Sequence, residues 1–360
     1  MSDEVRIGIV GARFAGSFHA ECWASTPNAR VVAVADRDES ARAPFAQKHG
    51  LTRIYDDYRR ILEDPQVDLV DICVPNFLHA EVAIAAMRAG KDVVCEKPFA
   101  TTLEDGEAVL RTCAETRRRF FYAEDWLFAP ALVRAKAIVD EGGIGRPLYY
   151  RGKESHSGSH SPFAQKIRFC GGGSVIHLAV HPIGLFQGLL GVPQSVVGRC
   201  SGGGEANLVH REAEGEDWGL GILTYQDGTQ AVVEGNYITP GGMEDVIEIY
   251  GSDGVLRVEL TFGSPLSVYS RKGYGYALEK ADFTHGWTRP AVDENASLGY
   301  RDELSHFIRC LLGKAEPAAG TTARDGFNVL RIVDAIYRSH REGKAVTLYG
   351  AAAAGGSSTS

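Results

Sequence analysis

Between residues 5 and 122, short apolar runs alternate with stretches of helical spacing, and few folds accept that order. Val5 to Val10, Arg30 to Ala35, Asp68 to Val74, Asp92 to Cys95 and Phe120 to Tyr122 read as strands. Ala15 to Ala24, Glu39 to His49, Phe77 to Ala89 and Leu103 to Arg117 lie between them with helical periodicity, and Gly90 stops the third. Runs rich in β-branched residues, each followed by a helix, predict a parallel, doubly wound α/β sheet.

The pattern changes after Ala123. Ala131 to Glu141 reads as one more helix. Beyond it come Leu148 to Lys153, Ser195 to Ser201, Gly219 to Tyr225, Thr229 to Tyr237, Asp245 to Tyr250, Val255 to Leu260 and Leu266 to Ser270, all short and alternating. Asp227-Gly228 is a hairpin signal, so the second half is expected to hold an antiparallel sheet. Helical spacing returns at Asp302 to Leu312 and Asp325 to His340. A length of 360 residues suits two domains, divided here as 1–123 and 124–350, with 351–360 (AAAAGGSSTS) as a flexible tail.

Composition excludes several classes. A hydrophobic fraction of 44% with 23% charged residues is that of a globular chain, not a disordered or collagenous one. No run approaches the ~18–20 apolar residues of a membrane span, and the acidic start is not that of a signal peptide. The net charge of −8 argues against nucleic acid as a partner. Seven scattered cysteines without a CxxC fit a reduced cytoplasm and neither a disulfide framework nor a cysteine zinc site.

The first strand runs into Gly11-Ala12-Arg13-Phe14-Ala15-Gly16. A dinucleotide turn of the form G-x-G-x-x-G makes a tight bend at its first glycine, approaches the pyrophosphate at its second and packs helix on strand at its third. Gly11 and Gly16 fit; Arg13 stands where the middle glycine belongs. Arg13 either holds a pyrophosphate oxygen or points to solvent, and Phe14 and Ala15 beside it are expected to border the cofactor. On the motif alone, a glycine turn without a ligand stays open. Asp36, ending the second strand, is placed to bind ribose hydroxyls and to repel a 2′-phosphate, which favours NAD over NADP. Arg37 beside it stacks on adenine or meets a 2′-phosphate.

Three later segments complete a series. Val74-Pro75-Asn76-Phe77-Leu78-His79 follows the third strand, and Val93-Val94-Cys95-Glu96-Lys97-Pro98 carries the fourth into a turn. Gly171-Gly172-Gly173-Ser174-Val175-Ile176-His177-Leu178-Ala179-Val180-His181 opens a helix in the second half. Over residues 5–348 this series resembles the glucose–fructose oxidoreductase / inositol dehydrogenase / rhizopine catabolism (Gfo/Idh/MocA) family. The resemblance implies a Rossmann domain followed by an α+β domain with an open, mainly antiparallel sheet that assembles homodimers or homotetramers. It also implies an NAD-dependent dehydrogenase acting on a hydroxyl-bearing carbon of a sugar or cyclitol. Lys97 and His181 take the catalytic positions, and Pro75, Asn76, His79, Glu96 and Lys97 the nicotinamide side. General chemistry agrees: removing a hydroxyl proton needs a base within hydrogen-bond reach and a positive group for the developing alkoxide. A surface lysine after a strand is the plain alternative for Lys97.

Two departures point to a variant sugar site. The family's aspartate four residues before the histidine is His177 here, and the stretch after the fifth strand, Tyr122-Ala123-Glu124-Asp125-Trp126, lacks the usual arginine. Glu154-Ser155-His156-Ser157-Gly158-Ser159-His160 carries a second histidine pair and reads as a loop. Folded over His177 and His181, it would gather four imidazoles and Glu154, for substrate hydrogen bonding, for structure or for a divalent ion. No metal is assigned, because nicotinamide chemistry needs none. Asp125, Glu154, His156, His160, His177, His181 and Lys97 form the expected substrate site, with Glu124 a further carboxylate toward an amino group. Competing readings are a glycoside hydrolase working by transient oxidation with retained NAD, and a non-catalytic nucleotide-sensing protein.

Overall fold

Strand β1 (Val5–Val10) is buried along most of its length, so its run is almost wholly apolar. With β2 (Ala29–Ala35), β3 (Arg53–Tyr55), β4 (Leu69–Ile72), β5 (Asp92–Glu96) and β6 (Phe120–Ala123), β1 forms a six-stranded parallel sheet in the order β3-β2-β1-β4-β5-β6. That is the dinucleotide-binding order, with its ligand crevice at the carboxyl ends where the order reverses. The computed structural model describes residues 4–159, 161, 163–261, 268–271, 286–288 and 293–348. Helices α1 (Phe14–Ala24), α2 (Glu39–His49), α3 (Tyr58–Glu63), α4 (His79–Arg88) and α5 (Leu103–Thr116) connect the strands. Asp38, Asp57 and Thr102 cap α2, α3 and α5 through their side chains. Strand β3 and helix α3 fall outside the sequence reading: β3 has three residues at the sheet edge, and none of them is buried.

After α6 (Pro130–Asp140) the chain enters β7 (Pro147–Ser155) and crosses by α7 (Ile167–Cys170) into a five-residue π turn, Val175–Ala179, continuous with α8 (Val180–Leu190). Then follow β8 (Ser195–Cys200), β9 (Trp218–Thr224), β10 (Gln230–Asn236), β11 (Glu244–Gly251) and β12 (Val255–Glu259). Strands β13 (Val268–Ser270) and β14 (Gly286–Thr288) form a separate ribbon; the expected strand start at Leu266 lies outside the described residues. Helices α9 (Glu294–Ser297), α10 (Tyr300–Leu311) and α11 (Ala323–Glu342) precede β15 (Val346–Thr347). The second sheet runs β12-β11-β7-β10-β9-β8-β15. It is mixed, because β7 pairs parallel with β10; its other ladders are antiparallel. Among the apolar residues of β11, Ile247 and Ile249 turn inward and are buried, while Val246 and Tyr250 face out.

The core does not stop at residue 123. Leu304, Phe307 and Ile308 of α10 share an apolar cluster with Ile7, Ile9, Trp23 and Phe121, and the Phe121 and Phe307 rings stack at 4.8 Å. Helix α11 lies on α5 so closely that a Cβ at Gly106 would meet Phe327 at 2.8 Å. Tyr122 N–H, at the end of β6, donates to Thr321 O at 2.8 Å. Within Ile167–Leu190, an 18-residue window has the mean hydropathy of a membrane span, 1.4, yet 83% of that window is buried inside the protein, as a core helix would be.

Candidate active site

Gly11 has φ +106°, and a Cβ there would lie 2.2 Å from Cys73 O, so only glycine fits this turn. A Cβ on Gly16 would lie 1.9 Å from Gly11 O. Together they bring the start of α1 up to β1, and no side chain caps that helix. Its amide groups and its dipole are therefore available to an anion. Arg13, at the N-cap, forms an ion pair with Asp38 and is 67% exposed. Asp36 accepts from the N–H groups of Ala12 at 2.8 Å and Asp38 at 2.9 Å, which aims its carboxylate across the turn. Arg37 is exposed. These residues fit a dinucleotide: an uncapped helix start for the pyrophosphate and a carboxylate for the ribose.

From there a cavity of about 230 Å³ runs between the two sheets. Its walls include Phe14, Ala15, Pro75, Asn76, Glu96, Lys97, Asp125, Glu154, His156, His177 and His181, so the expected residues of both halves converge. His160 lies outside the described residues. Four expected cofactor residues stand elsewhere: Gly11, Arg13, Asp36 and Arg37 sit at the turn and the end of β2 beside it, outside the cavity wall. His79 is not a wall residue but a brace: it is buried, with Nδ1 2.7 Å from Pro98 O and Nε2 2.9 Å from Val74 O, and it ties two turns together.

His181 is the most tightly held group. Its Nδ1 lies 2.9 Å from Glu124 Oε1 and 3.2 Å from Asp125 Oδ1, its Nε2 3.6 Å from Glu154 Oε2, and its ring stacks on Trp126 at 5.3 Å. Burial and Lys97 oppose its charge, but Glu154, Glu124 and Asp125 outweigh them and hold the imidazole well above its usual pKa. Burial pushes the Glu124 carboxyl up to about 7, against the pull of His181. Gly184 makes room for it, since a Cβ there would meet Glu124 Oε2 at 2.5 Å. The ligand atoms of Glu124, Asp125 and His181 lie within 4.8 Å of one another, a spacing that suits a divalent ion as well as a proton.

Lys97 sits at the end of β5, where burial works against its charge but Glu96, Glu154, Asp125 and Glu124 more than compensate, and its pKa is raised. Behind Lys97 lies a network that the sequence reading missed. His19, fully buried, places Nδ1 3.0 Å from both Asp71 oxygens and Nε2 2.9 Å from Glu96 Oε1, and Trp23 Nε1 donates to Asp71 at 2.7 Å. Burial opposes the His19 charge, yet Asp71 holds its pKa well above the usual value. Burial would raise Glu96, but the His19 hydrogen bond and charge bring it down to about 2. The available signal was Asp71 itself, a charge inside an apolar strand. Trp126, Tyr237 and Tyr300 also line the cavity without having been singled out for it.

Residues 5–124 match the oxidoreductase family with an NAD-binding Rossmann fold, and residues 136–348 match its C-terminal alpha/beta domain. Levoglucosan dehydrogenase from Pseudarthrobacter phenanthrenivorans is 28% identical, over 93% of this chain and 96% of the relative. The scyllo-inositol 2-dehydrogenase (NAD(+)) of Bacillus subtilis is 28% identical, over 97% of each. The crystal structure of GenD2, from gentamicin A biosynthesis, in complex with NAD superposes with a TM-score of 0.87 at 23% identity, over 96% of this chain and 97% of that one, a likeness of fold. With an NAD-compatible turn, a matching strand order and both family domains present in sequence, the chain belongs to the Gfo/Idh/MocA oxidoreductases.

Proposed function

We propose that the chain is an NAD-dependent dehydrogenase acting on a secondary hydroxyl of a sugar, glycoside, amino sugar or cyclitol. One observation carries this reading: Lys97 and His181, from opposite halves of the molecule, reach the same cavity beside an uncapped helix start. The names of the levoglucosan and scyllo-inositol relatives support the substrate class. NAD, when bound, supplies the hydride acceptor. Lys97, held as an ammonium, donates to the substrate oxygen and stabilises alkoxide charge. His181 moves the hydroxyl proton, with Nδ1 anchored on Glu124 and Nε2 toward Glu154. Glu124, titrating near 7, is a suitable next stop for that proton.

The test is reduction of NAD and NADP on a panel of sugars, cyclitols, glycosides and aminoglycosides. We expect turnover with kcat/KM higher for NAD, because Asp36 faces the ribose end. Equal values, or a preference for NADP, would show that Arg37 dominates. Release of aglycone without net NADH would favour transient oxidation instead. Seven free cysteines support a reducing, cytoplasmic setting. Exposed Val197, Ile222 and Tyr250 on the second sheet support a homodimer or homotetramer formed through that sheet. Light scattering at micromolar concentration is expected to give a dimer or larger; a monomer would rule out that assembly.

A further inference from the structure

His177 lies in the π turn, with Nδ1 2.6 Å from the Tyr237 hydroxyl. Burial, helped by the Glu216 and Glu154 carboxylates, holds the phenol well above its usual pKa, so the oxygen keeps its proton. Burial, then Lys97 and His156, push His177 down to about 3, so its ring is neutral and carries one N–H. Among the described residues, the Tyr237 hydroxyl has His177 as its hydrogen-bond partner. With the phenol O–H donated to Nδ1, the ring proton lies on Nε2. Tyr237 is itself fixed: its N–H donates to Asp217 O at 2.7 Å, and its carbonyl accepts from His210 Nε2 at 2.8 Å. Its ring packs against His156 at 5.2 Å and His210 at 6.4 Å.

We infer that Tyr237 locks His177 as a neutral hydrogen-bond donor, so that this wall of the cavity selects an acceptor oxygen of the substrate and rejects an ammonium nitrogen. The oxygen is a hydroxyl lone pair, a ring oxygen or a glycosidic oxygen. The groups facing His177 agree in sign: Lys97 is a cation, His156 and Tyr237 are neighbours without negative charge, and His181 stands one turn on. Beside His181, the Asp125 and Glu154 carboxylates offer acceptor oxygens. An amino sugar therefore has one orientation here, amine toward Asp125 and Glu154, oxygen toward His177. Tyr237 is a positioning residue in this arrangement. The substrate half of the inference rests on the dehydrogenase reading above.

Two arms test it. In the first, the full chain is labelled with ¹⁵N-histidine and each ring nitrogen is read in long-range ¹H–¹⁵N spectra. His177 is expected to stay neutral, with its proton on Nε2, from about pH 8 to about pH 5, below which an ordinary histidine would long have been charged. Tyr237→Phe should free the ring to exchange tautomers or become charged. A proton on Nδ1, or a charged His177 at about pH 6 in the unmutated chain, overturns the inference whatever the substrate is. In the second arm, kcat/KM is compared for each oxidised sugar or cyclitol and its aminodeoxy analogues. An amine at the position facing His177 should lower kcat/KM by at least ~10-fold. His177→Asp, an acceptor, should reverse that ratio, and His177→Asn, which keeps an N–H donor, should preserve it. An unchanged ratio in His177→Asp defeats the specificity claim. If no sugar, glycoside or cyclitol is turned over, the dehydrogenase reading fails and takes the substrate half with it, while the spectra still decide the donor.

Discussion

Lys97→Ala is expected to lower kcat by roughly 10²–10⁴, the range for losing a group that handles the reacting proton, with NAD affinity changed by only a few fold. The pyrophosphate and ribose ends depend on Gly11, Gly16 and Asp36, which this substitution does not touch. Surrounding carboxylates raise the pKa of Lys97 and hold His181 well above its usual value, so both keep their protons at neutral pH. The free chain is thus set to give a proton to a carbonyl. Hydroxyl oxidation requires one of these groups to lose its proton first. Its rate should climb as pH rises toward those elevated pKa values, while the rate of carbonyl reduction should fall over the same range. Steady-state kinetics in both directions measures this, and full activity of Lys97→Ala on the true substrate would refute the mechanism.

A second large effect is expected away from the reacting atoms. His19→Leu removes the cation between Asp71 and Glu96 and leaves two buried carboxylates without their partner. Breaking a buried pair in this way costs about 3–5 kcal/mol. The His19 pKa in the folded chain lies above its unfolded value of about 6.5. Its contribution is therefore complete below about pH 6.5 and is lost as pH rises through the folded value. Glu96 behaves oppositely: its pKa is depressed to about 2, so its contribution is present above the ordinary carboxylate range and disappears as pH falls toward 2. Urea midpoints across pH should show the greatest loss for His19→Leu between these limits, with an unchanged m-value. A midpoint within error of the unmutated chain would mean that the network is not ionised as described.

Much of this molecule is legible from the residues, for identifiable reasons. Strands β1, β4 and β5 are buried along most of their length, so their largely apolar runs are easily read. Strand β3 is not, because three edge residues leave no such run. The parallel pairing of β7 with β10 is also hidden. Alternation records which residues face the core, not the direction of the neighbouring strand. In the site, Lys97 and His181 stand out by motif. The partners of His181 do not: Glu124 and Asp125 lie 57 and 56 positions earlier, and only the fold brings them to one imidazole. Likewise, nothing in the spacing of Tyr237 and His177 announces a shared hydrogen bond.

The packing of α10 and α11 onto the first sheet bears on how the chain can be taken apart. Phe307 stacks on Phe121, Phe327 fills the space over Gly106, and Thr321 accepts from Tyr122. A cut after Ala123 would strip these side chains from the cofactor half and lay bare the surface they cover. Neither fragment would keep a closed interior, so heat or denaturant should collapse both halves together. Chimeras made by exchanging the cofactor half with that of a relative would have to carry the segment from Tyr300 to Glu342 with it. The graft point that the order of the chain suggests is thus not one that the packed molecule offers.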